Sequence, residues 1–256
     1  MKQASDQLYF DISFPLSLKF NQHSQINFTY QAPKLRLTQG IYYISGECGS
    51  GKTSFLSMLA LLSGSIGKQS KRQKGSISFI NKQYSFCYSD PTLNYYKAAE
   101  IRETYFSIFS QEVFFLPGLS LCCNYNFLNN NNNNDSFSDS IDPSSLSGGY
   151  KQSKFMHIIL SKNKPVWFLD EPFNNMDQKR ISEFCNLLEQ VYSETEMIIF
   201  IIDHRLSKTI SDHRLYGDPM CIQTEKVFKI NDSEKDSEIK LFPIKVFKAF
   251  INLLKS

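Results

Sequence analysis

The chain has no apolar run long enough to cross a bilayer. Its longest, such as Met197 to Ile202, fall far short of the ~20 residues that a membrane helix needs. The first residues, Met1-Lys2-Gln3-Ala4-Ser5-Asp6, lack the apolar segment of a secretory leader. Together these absences imply a cytosolic protein that reaches a membrane only through a partner. An excess of one charge is missing too: 28 lysines and arginines face 25 aspartates and glutamates, for a net charge of +3. That balance gives no support to direct nucleic-acid binding, and the basic cluster Lys68, Lys71, Arg72, Lys74 reads as a solvated turn. Six cysteines (Cys48, Cys87, Cys122, Cys123, Cys185, Cys221) form no C-x-x-C pair and no metal-ligand spacing. Free thiols in a reducing compartment are the expectation. What remains is 256 residues with 41% hydrophobic and 21% charged content, an ordinary globular composition with ample length for a buried core.

One stretch stands out from this plain background. Gly46-Glu47-Cys48-Gly49-Ser50-Gly51-Lys52-Thr53 follows the apolar run Ile41-Tyr42-Tyr43-Ile44 and precedes an apolar-periodic segment from Phe55 to Leu62. The order is strand, glycine-rich loop, helix, with the G-x-x-x-x-G-K-[ST] spacing of the Walker A phosphate-binding loop. Glycines let several backbone N–H groups converge on phosphate oxygens, and the helix N-terminus adds partial positive charge. Lys52 is expected to reach the β- and γ-phosphates, and the Thr53 hydroxyl to take one Mg²⁺ position. Cys48, inside the loop, is expected to be a site for alkylating reagents and not a catalytic group.

Before this loop, residues 8–45 read as short alternating strands split by Pro15, Asn21 to Ser24 and Pro33, an antiparallel sheet laid ahead of the nucleotide core. After it, Ser76 to Ile80 and Tyr84 to Tyr88 look like strands, Asn94 to Glu103 like a helix, and Thr104 to Phe109 like a strand ending at Ser110-Gln111. Leu119 to Leu128 suggests one short helix. The asparagine tract Asn129 to Asn134 has no apolar face to bury and reads as a mobile loop. Tyr150 to Leu160 and Arg180 to Tyr192 are helical. Val166 to Leu169 and Met197 to Ile202 are strands of the fully buried kind, and their alternation with helices implies a parallel sheet covered on both sides. The C-terminal segment ends in a helix-like Lys245 to Leu254.

Two further signals carry chemistry. Val166-Trp167-Phe168-Leu169-Asp170-Glu171 is an apolar strand ending in two carboxylates, the Walker B arrangement. Asp170 is placed to hold Mg²⁺ through its water shell, and Glu171 to aim at a water in line with the γ-phosphate. Leu146-Ser147-Gly148-Gly149-Tyr150-Lys151-Gln152 opens a helix with bare amides and a hydroxyl, which makes a second anion cradle.

In this order the motifs resemble the nucleotide-binding subunit of the ABC ATPase superfamily, best known from ABC transporters. The resemblance implies an α/β fold: a P-loop NTPase core with a mostly parallel sheet flanked by helices, an N-terminal antiparallel β subdomain, and a reduced helical subdomain before the signature. It divides a single domain into a mostly antiparallel part (1–45), a nucleotide-binding core (46–111 and 150–215), a shortened helical and signature subdomain (112–149) and a C-terminal appendage (216–256). It implies that Gly46, Glu47, Cys48, Gly49, Ser50, Gly51, Lys52, Thr53 and Ser54 bind ATP. It also implies that Ser147, Gly148 and Gly149 close over the nucleotide of another copy, with Asp177 of Asn174-Asn175-Met176-Asp177 as the D-loop aspartate. Thr53, Asp170 and Gln111, the last placed like the Q-loop glutamine, would attend Mg²⁺. Glu171, Lys52 and His204, the last placed like the switch histidine, would carry catalysis. The family stacks an aromatic on adenine; Phe20 lies at a suitable distance, with Tyr9, Phe28 and Tyr30 as rivals, and Gln152 competes with Gln111.

Two departures are visible. Only 36 positions separate Gln111 from Ser147, so the helical subdomain looks cut down, and Phe173 follows Pro172 where a small hydroxyl residue is common. The resemblance implies an ATPase with ATP and Mg²⁺. It would work as a homodimer or heterodimer of cassettes, peripheral on the cytoplasmic face of a membrane, powering transport through a separate transmembrane permease. The other readings are a soluble ABC ATPase acting as a mechanical switch on a cytosolic assembly, and a nucleotide-binding regulator with little turnover.

Overall fold

The computed structural model describes residues 8–19, 26–62, 75–80, 85–87, 95–110, 119–120, 123–124, 141–160, 164–209, 215–228 and 233–255. In chain order the strands are β1 (Tyr9–Ser13), β2 (Leu16–Lys19), β3 (Ile26–Gln31), β4 (Leu35–Thr38) and β5 (Gly40–Gly46), followed by helix α1 (Lys52–Leu59). Strands β6 (Ser76–Ile80) and β7 (Ser85–Cys87), helix α2 (Tyr95–Tyr105) and strand β8 (Phe106–Phe109) come next. Then follow α3 (Gly148–Leu160), β9 (Val166–Asp170), α4 (Gln178–Glu194), β10 (Ile198–Ile202), β11 (Met220–Phe228), β12 (Ser233–Pro243) and α5 (Phe247–Lys255).

The strands form two sheets, a smaller antiparallel one ordered β4-β1-β6-β7 and a larger one ordered β2-β3-β11-β12-β5-β10-β9-β8. In the larger sheet β5, β10, β9 and β8 run parallel. Every residue of β9 and β10 is buried, because strands covered on both faces need apolar side chains on both. Their alternation divides the interior in two. Tyr42, Ile44, Val166, Phe168, Ile198 and Phe200 point toward α1 and the smaller sheet. Ile41, Tyr43, Trp167, Leu169, Ile199 and Ile201 point toward α3, α4 and α5. On the first side Phe10 of β1 ties the sheets together, with ring centroids 5.8 Å from Phe200 and 6.3 Å from Phe168.

Two expectations change. Thr104 and Tyr105 belong to α2, so the following strand begins at Phe106. The segment 216–256 is no appendage: β11 and β12 insert between β3 and β5 and supply Ile222, Ile239 and Leu241 to the first core. Their polar residues alternate with apolar ones on a single buried face, a weaker signal than the unbroken runs of β9 and β10. Phe173, the departure after Pro172, is fully buried and meets Phe184 of α4 edge-on at 5.2 Å. It anchors the turn after β9 in the second core. The basic cluster Lys68 to Lys74 and the tract Asn129 to Asn134 lie outside the described residues, as does most of Leu119 to Leu128. No helix among the described residues is long and apolar enough to cross a membrane.

Truncating Phe173 to alanine removes a buried ring and leaves a cavity, at a cost of about 3 kcal/mol or more. A lower urea midpoint with an unchanged slope is the expected result. An unchanged midpoint would mean that this ring does not anchor the turn.

Candidate functional site

The glycine loop lies where β5 leaves the sheet. Gly51 caps α1 with φ 90°, a left-handed value that suits glycine. A Cβ there would sit 2.9 Å from the Phe28 ring and 3.1 Å from the Tyr30 hydroxyl. Tyr30 Oη donates to the Gly51 carbonyl at 3.1 Å and hydrogen-bonds Ser54, so β3 braces the loop from below. Glu47, Cys48 and Gly49 form the exposed tip, whereas Ser50 is buried and its Oγ has no hydrogen-bond partner among the described residues. Lys52 Nζ folds back and donates to the carbonyls of Gly46 at 2.9 Å and Glu47 at 2.8 Å. Burial lowers the Lys52 ammonium from its ordinary value, opposed by Cys48, Asp170 and Glu171.

Both carboxylates arrive at the end of β9, which β10 separates from β5 in the parallel part of the sheet. Asp170 ends β9 and is buried; its carboxyl accepts a hydrogen bond from Thr53. Burial pushes that carboxyl above its usual range, the Thr53 hydroxyl counters, Glu171 adds to the rise, and Lys52 and His204 oppose it. Glu171 has φ 49°, a left-handed conformation that is uncommon outside glycine. Its N–H donates to the Ile202 carbonyl at 2.7 Å, one step past the β9–β10 ladder. This turns the side chain toward the end of β10, where Glu171 Oε1 lies 2.8 Å from His204 Nε2. The structure thus brings Lys52, Thr53, Asp170, Glu171 and His204 to one sheet edge.

Residues to which the motifs gave no supporting role hold this edge. Gln152 Nε2 donates to the carbonyls of Glu171 at 3.2 Å and Pro172 at 3.5 Å. Arg205 Nη2 donates to Phe173 O at 2.9 Å and Met176 O at 3.3 Å, and its N–H donates to Asp203 Oδ1 at 2.8 Å. Burial raises the Asp203 carboxyl, while hydrogen bonds from the Arg205 and Phe173 amides and the Arg205 charge oppose the rise. Asp203 and Arg205 flank His204 in sequence, the one signal that could have pointed to them.

A second group forms at the start of α3. Ser147 and Gly148 are exposed, and the Ser147 carbonyl accepts the Lys151 N–H at 2.9 Å. Gly149 is buried; a Cβ there would come within 2.1 Å of the Asn175 carbonyl, so the cradle and the Asn174–Asp177 turn are packed backbone to backbone. Asp177 caps α4 by accepting the Arg180 N–H at 2.9 Å and also pairs with the Arg180 guanidinium. That guanidinium lies 5.3 Å from the centroid of the Tyr150 ring. Phe20 and Gln111 lie outside the described residues. Among the rivals, Tyr30 and Phe28 are buried beneath the loop, and Tyr9 is covered by Arg36 at 4.6 Å. Gln152 is committed to the turn after β9.

The residues suit both ligands. The loop offers a glycine-rich backbone at a helix N-terminus and a lysine that donates to the Gly46 and Glu47 carbonyls. Thr53 and Asp170 form a hydroxyl–carboxylate oxygen pair of the hardness Mg²⁺ prefers. Among the described residues no group of three or more His, Cys, Asp or Glu could hold a metal, so a cation here would complete its shell from phosphate and water.

Fold and loop define a P-loop nucleotide-binding cassette. A family model described as ABC transporter matches residues 31–174, more than half of the chain, and the chain belongs to that family. Among solved structures it is similar to the dimeric ATP-binding cassette MJ0796 bound to ADP and Pi. That match has a TM-score of 0.55 and 18% identity, and covers 76% of this chain and 88% of the other. Among sequences it is 37% identical over 70 residues to a putative ABC transporter ATP-binding protein of Staphylococcus aureus, covering 27% of this chain and 12% of that protein. It is also 37% identical over 68 residues to the thiamine import ATP-binding protein ThiQ of Haemophilus influenzae, covering 27% of this chain and 32% of that one. The chain therefore spans well under two thirds of either relative.

The raised Asp170 carboxyl has a consequence for stability. Because its folded value exceeds the ordinary 3.8, ionisation opposes folding; the cost is absent below that ordinary value and complete above the folded one. Asp170→Asn is therefore expected to raise the melting temperature of the nucleotide-free protein at pH 7, with the gain shrinking as the pH falls through that window. Thermal melts across the window check this, and a lower melting temperature at pH 7 would contradict it.

Proposed function

We propose that this chain is an ATP-binding and ATP-hydrolysing cassette that works as a pair of copies and powers a membrane transporter through a separate transmembrane subunit. The observation that carries the reading is the convergence of Lys52, Thr53, Asp170, Glu171 and His204 on one sheet edge beside the glycine loop. The names of the relatives, one of them for thiamine import, favour transport over a cytosolic mechanical switch. Family membership and the retained Asp170-Glu171 pair favour turnover over a purely regulatory role. In this reading the protein sits on the cytoplasmic face of the membrane through its partner.

On ATP arrival Lys52 exchanges the Gly46 and Glu47 carbonyls for phosphate oxygens. Thr53 and Asp170 hold Mg²⁺, which when bound neutralises charge across the phosphates. Glu171 orients and polarises the attacking water, and His204, already at hydrogen-bond distance from Glu171 Oε1, fixes that carboxylate and faces the γ-phosphate. The exposed Ser147 and Gly148 serve the nucleotide of a second copy, as bare amides and a hydroxyl at a helix N-terminus would. Asp177 and the turn packed against Gly149 complete that surface. Gln111 and Phe20 are assigned Mg²⁺ sensing and adenine stacking on motif position alone. Once hydrolysis removes the γ-phosphate, the contact across the interface is lost and the copies part.

Glu171→Gln tests the reading. It is expected to keep ATP binding, lose at least about 100-fold in turnover, and accumulate a nucleotide-bound dimer on size-exclusion chromatography with light scattering. Full turnover in this variant would remove Glu171 from its role. A variant that stays monomeric with ATP and Mg²⁺ would remove the paired cradle.

A further inference from the structure

The C-terminal hairpin reaches the phosphate loop, and none of the nucleotide-binding motifs includes it. In β11, Lys226 pairs directly with Phe28 of β3 on one side and Lys235 of β12 on the other. Residues opposite one another in a ladder share a face, so the two lysines lie on the face that carries Phe28 and Tyr30, beneath the loop. Lys226 Nζ lies 5.7 Å from the centroid of the Phe28 ring and 3.8 Å from the position a Cβ would take on Gly49. The ring of Phe28 in turn abuts Gly51. The hairpin's charges are sorted by face. Glu225 and Asp236 oppose each other on the outer side, and Glu238 is there too, bonded to Gln223 at 2.9 Å and Lys240 at 3.1 Å. The inner face near the loop carries lysine.

We propose that Lys226 is a nucleotide-binding residue, a cation that the C-terminal hairpin delivers to the mouth of the phosphate loop to meet the outer phosphates alongside Lys52. This deepens the proposed function and rests on it. A half-buried ammonium on a four-carbon stem has the reach to turn from the Phe28 face to a phosphate oxygen above Gly49. A charge-assisted bond there is strong because loop and ring keep bulk water from one side. Lys235, exposed on the same face, adds long-range attraction that salt screens.

The test titrates the full chain with ATP, ADP and AMP by calorimetry, in wild type, Lys226→Gln, Lys226→Arg and Lys52→Ala, with circular dichroism to confirm folding. Lys226→Gln is expected to weaken ADP and ATP roughly tenfold, to leave AMP nearly unchanged, and to flatten the dependence of affinity on salt. Lys226→Arg should restore most of the loss. If Lys226→Gln binds ADP and ATP like wild type while Lys52→Ala does not, the assignment of Lys226 falls and the nucleotide site stands. Equal weakening of all three nucleotides would place the effect in the packing of Phe28 and overturn the phosphate contact. If wild type fails to bind ATP, or Lys52→Ala binds as well as wild type, the proposed function itself falls, and this inference with it.

Discussion

Three parallel strands buried on both faces are the constraint on which this molecule depends. Once β5, β10 and β9 pair in parallel with apolar side chains above and below, their C-terminal ends must emerge at one edge. The loop after β5, the carboxylates after β9 and the histidine after β10 then meet without any residue between them having to fold specially. Parallel sheets gather the ends of their strands, and ligand sites in open α/β sheets form there for this reason. The hydrogen bond from the Glu171 amide to Ile202 extends the same ladder by one step, and so converts strand register into the placement of a carboxylate.

Much of this was legible in the sequence because the informative residues are neighbours in it. A glycine loop between a strand and a helix, or two acids closing an apolar run, can be read within ten residues. What stayed hidden depends on pairs far apart. Gln152 supports Glu171 from another helix, and Arg205 reaches Phe173 across the turn; neither contact has a local signature. The β11–β12 hairpin has a faint sequence signal because only alternate residues face the core, and its charges resemble a solvated tail until pairing puts Lys226 and Lys235 on the face opposite Glu225, Asp236 and Glu238. Among the aromatics, sequence position could not separate a ring that stacks on a ligand from one that braces the loop. Tyr30 declares itself only through its hydroxyl on Gly51.

Two aromatic side chains beside the motifs fix the turn after β9 in place. Phe173 is fully buried in the second core and packs edge-on against Phe184 of α4. Tyr150, next to the signature glycines, meets the guanidinium that also pairs with Asp177. Both side chains fasten the turn between Glu171 and Asp177 to the helices beside it. The turn and the signature helix then behave as one block, since Gly149 leaves no gap between them.

The folded-back Lys52 carries a consequence of its own. Its ammonium donates to the carbonyls of Gly46 and Glu47, so the residue that opens α1 is tied back to the residues that open the loop. Side chain and backbone thereby close a ring, and a substitution at one end is felt at the other: a shorter side chain in place of Lys52 would free the first carbonyls of the loop as well as remove the charge.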